Sequence, residues 1–475
     1  MRTLNNMFQQ YRLSVWVRLV PYVAIFGLAA FFLWLYYPHL GDYALRDWDE
    51  SIYAQVARQS HDPFAFEWLG QLQLGTNVWF EKPPLVIWLT QVSMFWFGVG
   101  EFGARFWMPI FAAGILLLVF TWGRDMTRSW RGGLLASAGL FMIPHFLINA
   151  GVLSMDMPVA FFICAAVFAY SRRAVANRYV YLFWLCVAGG VFTKNIVGLL
   201  PLPIVMLDSL IARDWQWFWS KVNARAFGLG MICVLPWHII ESVRFGWSFW
   251  DVYFIRHVFL RGTTSFETHG QPFWYYRIIF QQIPFLYVAV AGVLVGVYMA
   301  LRRRREYLLP LLGCVVVFLF FSISRSKGAD YIIPVYPYFT VLIGAACYWV
   351  VSKAPRIWLS RAVFLFFFGV CVAMGLSFNQ YRLTRMASPS YMDVREVADW
   401  LHAHAAGAKV WYRPAFFTDA IMDSRVLLVF YSNRYIYGAS KDMQFDGADT
   451  VFRTRTHIVY KVGAEYYVAA VRYIP

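Results

Sequence analysis

Long apolar runs separated by short clusters of arginine decide most of what this chain can fold into. A helix needs about 20 apolar residues to cross the hydrocarbon of a bilayer, and residues 17–37 supply the first such run. Of the 475 residues, 60% are hydrophobic, against about 45–50% in a soluble domain. The sequence therefore predicts a polytopic α-helical membrane protein. Run 17–37 is too long for the core of a secretory leader, and no small-residue cleavage site precedes the acidic stretch after it, so it is expected to stay as a membrane helix.

The formal charge of +16 would suit a nucleic-acid ligand, but its arrangement argues against one. Arg124, Arg128 and Arg131, then Arg172, Arg173 and Arg178, then Arg302 to Arg305 fall between apolar runs. That is the pattern of cytoplasmic loops under the positive-inside rule, not of a binding stripe. The six cysteines lie in or beside apolar runs with no CxxC pair, which makes them small core residues rather than disulfide partners or metal ligands.

Taking the basic clusters as inside, the N-terminus with Arg2, Arg12 and Arg18 is inside and the acidic stretch after Tyr37 is outside. An odd number of crossings must then separate Tyr37 from Arg124. Run 106–122 is long enough to cross; run 85–97, about 13 residues, falls short and is expected to be a juxtamembrane or re-entrant helix on the outer face. Runs 134–149, 158–170, 180–192, 197–211, 227–240, 283–301, 308–321, 331–351 and 363–376 complete about 11 spans. From residue 379 the texture changes. An amphipathic helix is expected at 394–404, with Val394, Val397 and Leu401 on one face, and strands at 410–412, 426–431, 450–462 and 466–473. The predicted organisation is a membrane domain, 1–378, with external loops 38–104 and 241–280, and a small α/β soluble C-terminal domain, 379–475, also outside.

Charge at a membrane boundary is costly and marks candidate function. Asp49 and Glu50 follow the first span, with Arg46 close by in sequence. A carboxylate there can serve as a general base, and equally as the acidic start of a solvated helix. In Glu81-Lys82-Pro83-Pro84 the prolines stiffen the chain and aim the ammonium; a phosphate ligand and a snorkelling lysine both fit. Asp156 and Lys194 lie where spans meet the outer surface, and also suit a helix cap and a snorkelling side chain. Arg256, His257 and Arg261, followed by His269 to Tyr276, join cations to aromatics. That mixture suits sugar and phosphate recognition or an interfacial aromatic belt. Arg325 and Lys327 add two more outer cations on the side where cations are normally sparse, and an anionic ligand would account for them. The nine histidines show no paired metal-ligand spacing.

In this order the motifs resemble the polyprenyl-phosphate-sugar-dependent glycosyltransferases of GT-C fold, which include the protein O-mannosyltransferases and the aminoarabinose lipid A transferases. The matching residues begin with Asp49-Glu50 through Tyr53, Phe80 to Leu85 with Trp88, and Phe97-Gly98 with Arg105. They continue through Asp156, Thr193-Lys194, Pro236-Trp237, Arg256-His257 with Arg261, Gln271 to Tyr276, Phe321 to Lys327, and Tyr331 to Pro334. Two positions depart: Asn195 follows Lys194 where glycine is usual, and Ile52 stands before Tyr53 where arginine is common. They bear on the acceptor more than on the chemistry.

The resemblance implies a GT-C fold of about 11–13 membrane helices, in the cytoplasmic (inner) membrane, with the site and the C-terminal domain on the extracytoplasmic side. It implies an inverting transfer of sugar from a polyprenyl-phosphate donor to a glycolipid such as lipid A, a protein or a glycan, among membrane lipids and with no nucleic acid. Asp49 would be the base, with Glu50 and Asp156 orienting acceptor or sugar. Lys82, Lys194, Arg256, Arg261, Lys327 and Tyr331 would hold the donor phosphate, and Tyr53, Trp274 and Tyr275 would face the acceptor. Glu81, His257 and His269 would hold a divalent metal ion, as in some relatives. A flippase of lipid-linked sugars is the alternative; it should bury charges in broken mid-membrane helices, whereas the ionisable residues here concentrate in loops.

Overall fold

The computed structural model describes residues 2–46, 49–59, 73–74, 77–264, 275, 283–302, 304–386, 389–413, 415–417, 420–422, 425–432, 436–438 and 448–470. Most of the expected apolar runs are helices: Arg2–Tyr36, Trp107–Thr127, Asp156–Ser171, Arg178–Lys194, Pro201–Ala212, Lys221–Phe245, Ile283–Leu301, Leu308–Ile323, Tyr336–Lys353 and Ile357–Met386. Among the described residues seven helical segments are long and apolar enough to cross a membrane, and four more apolar helices are shorter. The protein is an integral membrane protein. Residues 85–97 form one of the short helices, Leu85–Phe97, ended by Gly98 at φ +87°.

Run 134–149, expected as one span, is instead broken into Trp130–Gly139, a 3-10 turn Leu140–Met142, and Pro144–Asn149. Pro144 has no N–H to continue the ladder. Small residues then let the backbones close up: a Cβ on Gly344 would overlap Ala136, and one on Gly133 would overlap the Phe120 carbonyl. The last membrane helix is fastened to the first through Arg382. Its Nη2 donates to the Leu35 carbonyl at 3.2 Å, and its guanidinium lies 4.2 Å from the Tyr36 ring centre.

The loops read from charge as lying on one side do meet. Asp125, Arg172, Arg173, Asp214 and Arg305, from four separate connections, line one cavity of about 650 Å³. Lys82, Lys194, His257, Arg261 and Tyr331 line a different one.

In the C-terminal domain the helix Pro389–His404 buries Val394, Val397 and Leu401, as the pattern predicted. The sheet beneath is mixed, in the order Ile436–Gly438, Val410–Arg413, Glu465–Ala470, His457–Val462, Asp449–Arg453. Its first three strands are parallel and the others antiparallel. The expected strand 450–462 is a hairpin of two strands. The expected strand 426–431 is a helix, Arg425–Ser432. Short apolar runs do not distinguish helix from strand by periodicity, and here the helical form lets Ser432 Oγ donate to the Leu428 carbonyl at 2.5 Å while Leu428 and Phe430 are buried.

Because Leu401 is fully buried, Leu401→Ala should destabilise the C-terminal domain by about 2–5 kcal/mol. Limited proteolysis with temperature should then cut this domain first; an unchanged cleavage profile would refute the packing described.

Candidate active site

Asp49 opens the helix Asp49–Gln59, where negative charge suits the helix dipole. Its side chain is exposed and among the described residues has no hydrogen-bond partner. It lies within electrostatic reach of Lys82, Arg261, Lys194, Asp156 and Tyr53. Residues separated by more than 200 positions in the chain thus surround one carboxylate.

Glu50 points the other way. Its Oε1 accepts from Arg105 Nε at 2.8 Å and the Leu153 amide at 3.0 Å; its Oε2 accepts from Arg105 Nη2 at 3.0 Å and the Arg46 amide at 2.7 Å. Four donors leave a buried carboxylate no capacity for substrate, which corrects the expectation that Glu50 orients acceptor or sugar. Burial opposes its charge, but the Arg105 guanidinium outweighs burial and holds the carboxyl below its ordinary value. Arg105 itself is fully buried and also donates to the carbonyls of Leu40, Tyr43 and Ala44 at 3.0, 2.7 and 3.0 Å.

Lys82 sits in the proline-stiffened connection to Leu85–Phe97, buried, with Nζ 3.5 Å from His257 Nδ1. Burial, and then the Arg261 charge, pull its ammonium down to about 8, against Asp49 and Glu81. His257 stands on a π-helical segment, Asp251–Leu260, a conformation that recurs at functional sites. Burial, followed by Lys82, Arg261 and Arg256, pushes its imidazole down to about 3, so it is neutral at physiological pH. Lys194 ends its helix and donates to Asp156 Oδ1 at 2.5 Å, with its ammonium 4.1 Å from the Tyr331 ring centre. Asn195 has φ +37°; asparagine is among the side chains that tolerate positive φ best. Arg261 Nη1 donates to the Tyr331 hydroxyl at 3.3 Å.

Lys82, Lys194, His257, Arg261 and Tyr331 line a cavity of about 450 Å³ whose walls include Phe254, Val258, Phe320 and Ile323. Cations gathered at an apolar slot are suited to an anion attached to hydrocarbon.

Several expected site residues have other work. Lys327 donates to the carbonyls of Phe321 at 3.3 Å, Ser322 at 2.8 Å and Ser324; its three ammonium protons cap a helix end rather than a phosphate. Arg256 is exposed and paired with Asp251 at 2.9 Å, outside the cavity lining. Tyr275 is fully buried, its hydroxyl on the Gly328 carbonyl at 3.1 Å, so it presents no face to an acceptor. Tyr53 is also buried, its ring edge-on to Trp79 at 6.0 Å. Trp274 and His269 lie outside the described residues. Of the metal set, Glu81 and His257 face each other at 3.9 Å. Among the described residues no three His, Cys, Asp or Glu side chains cluster to hold a metal.

The motifs did not reveal the group around Asp330. His145 Nε2 and Asn149 Nδ2 meet its Oδ1 at 2.7 and 3.0 Å, and His145 Nδ1 meets the Tyr336 hydroxyl at 2.9 Å. Its position next to Tyr331 was the available signal.

Membrane helices line a cation-bearing apolar slot, and a small α/β domain follows them. A profile of the dolichyl-phosphate-mannose-protein mannosyltransferase family matches residues 81–240. The chain is 28% identical over 329 residues to undecaprenyl phosphate-alpha-4-amino-4-deoxy-L-arabinose arabinosyl transferase 1 of Sodalis glossinidius, covering 67% of this chain and 58% of that protein. It is 27% identical over 271 residues to an uncharacterised protein of Aquifex aeolicus, covering 56% and 60%. The chain thus spans 58–60% of the length of these curated relatives. Its structure is similar to that of ArnT from Cupriavidus metallidurans bound to undecaprenyl phosphate, with a TM-score of 0.71 and 21% identity, over 90% of this chain and 86% of that one. The fold is shared, and the resemblance read from the motifs is borne out.

Two predictions follow from this geometry. Glu50→Gln should destabilise the protein by about 3–5 kcal/mol, because it leaves Arg105 buried without its counter-charge; thermal unfolding in detergent matching wild type would contradict the clamp. Lys82 loses its proton as pH rises through about 8 in the free protein, and an anion beside it favours the charged form. Binding of a polyprenyl phosphate above that pH should therefore take up a proton, and affinity should fall as pH climbs. Calorimetry in buffers of different ionisation heat should show this uptake, and Lys82→Arg should abolish it; equal heats for wild type would refute it.

Proposed function

We propose that this chain is a membrane glycosyltransferase that moves a sugar from a polyprenyl-phosphate carrier to an acceptor hydroxyl or phosphate. The observation that carries the reading is the placement of the exposed Asp49 carboxylate within electrostatic reach of Lys82, Lys194 and Arg261, the three cations that line an apolar-walled cavity. The acceptor oxygen attacks the anomeric carbon as the bond to the phosphate oxygen breaks, and the acceptor proton passes to Asp49. The attack is in line, so the anomeric centre inverts. The electron pair of the broken bond stays with the lipid phosphate, and preorganised cations stabilise the charge that develops there.

Lys82 and Arg261 reach that phosphate directly. Lys194, bound to Asp156, holds the floor of the site and adds positive potential. Hydrocarbon of the carrier lies along Phe254, Val258, Phe320 and Ile323. The lipid bound to the Cupriavidus protein and the names of the arabinosyl transferases support an undecaprenyl-phosphate-linked aminoarabinose as the first donor to test. The clustering of basic loops around the other cavity supports an extracytoplasmic site in the cytoplasmic membrane.

Purified protein supplied with labelled undecaprenyl-phosphate sugars should release undecaprenyl phosphate in step with label reaching an acceptor. Asp49→Asn should lower kcat by about 10²–10⁴-fold with its unfolding temperature unchanged. Full activity of that variant would eliminate the base assignment, and movement of donor across vesicles without transfer would replace the transferase with a flippase.

A further inference from the structure

A continuous series of hydrogen bonds joins the soluble domain to the segment that carries Asp49. Tyr431, on the soluble-domain helix Arg425–Ser432, accepts from the Leu45 amide at 2.6 Å and donates to Glu101 Oε1 at 3.1 Å. Arg395, on the helix Pro389–His404, donates to the same Glu101 oxygen at 2.9 Å, and its guanidinium lies 5.8 Å from the Tyr431 ring centre. Glu101 and Arg105 are the two ends of one short helix, Glu101–Arg105. Its first residue faces the soluble domain. Its last residue grips Glu50 and the carbonyls of Leu40, Tyr43 and Ala44. At the far end of the Asp49 helix, Arg58 donates to the Phe430 carbonyl, with its guanidinium 5.5 Å from the Phe430 ring centre.

Residues 40–45 and Glu50 are therefore held from two sides: by Arg105 from the membrane domain and by Tyr431 from the soluble domain. Burial, and then the Glu101 charge, push the Tyr431 hydroxyl above its ordinary value, so it keeps the proton it donates. Phenylalanine at 431 would fill the same space but leave the Leu45 amide unpaired.

We propose that the soluble domain positions the Asp49 segment, and that Tyr431 is the positioning residue, acting through the Leu45 amide and Glu101. This rests on the reading in which Asp49 is the base. A domain that merely docked would need the apolar contacts of Phe430 and Leu428; it would not need a hydroxyl shared between a loop amide and a buried carboxylate.

The experiment is hydrogen exchange and steady-state kinetics on full-length Tyr431→Phe in nanodiscs. One net hydrogen bond corresponds to roughly a 2–13-fold effect. The expected result is exchange at residues 43–46 faster by about that factor, and kcat lower by a similar one, with donor KM within about twofold. Arg395→Ala should move both readouts the same way by less, and Arg395→Lys should restore part of the loss. Wild-type exchange at 43–46, or a fall in kcat without a change in exchange, would overturn the proposal. Should Tyr431→Phe fail to fold, Arg395→Ala carries the same two readouts. Exchange is measured without substrate, so absence of transfer by the wild type from any donor would count against the proposed reaction and leave the exchange result to decide the positioning.

Discussion

The Glu50–Arg105 pair is the interaction on which the site depends. Two buried charges are costly alone, and their attraction offsets that cost only when the remaining donors and acceptors are also satisfied. Here they are: Glu50 has four donors, and Arg105 spends its other protons on three carbonyls of the preceding loop. Residues 40–46, after the first membrane helix, thereby acquire one shape. Since Asp49 precedes Glu50 on the first turn of a helix, fixing one side chain inward turns the other outward, toward the cations.

Those cations are arranged by the same logic of partial satisfaction. Lys194 has Asp156 and a tyrosine face; Arg261 has a tyrosine hydroxyl; Lys82 has a neutral imidazole. None of these partners neutralises Lys82, whose ammonium is held near the point of deprotonation. An anion arriving in the slot would supply the counter-charge these partners withhold. Apolar walls beside the cations strengthen the attraction.

The membrane architecture was legible in the sequence because hydropathy and the placement of arginines report directly on the bilayer. Leu85–Phe97 is one of four shorter apolar helices among the described residues; the other three, Asp156–Ser171, Pro201–Ala212 and Leu286–Leu301, were expected from hydropathy as full spans. Legibility failed where a local signal met tertiary context. Pro144 divides a run that hydropathy joins, and Val426–Tyr431 has strand composition but lies in a helix whose residues reach the membrane domain. Among site residues, Asp49, Lys82, Lys194, Arg261 and Tyr331 stood out as charge or aromatic character at a boundary, and they converge. Glu50 and Lys327 stood out in the same way yet are spent on backbone and on Arg105. A motif shows that a charge is placed deliberately; only the partners within 3 Å or so show whether it serves the ligand or the loop.

The most direct test of the account is a structure of the protein in nanodiscs with undecaprenyl phosphate bound. The account predicts the phosphate within hydrogen-bond distance of Lys82 and Arg261, with Asp49 across the site and the first isoprene units against Phe254, Val258, Phe320 and Ile323. Lipid phosphate seated instead among Arg172, Arg173 and Arg305 at the other cavity, with the Lys82 slot empty, would contradict it.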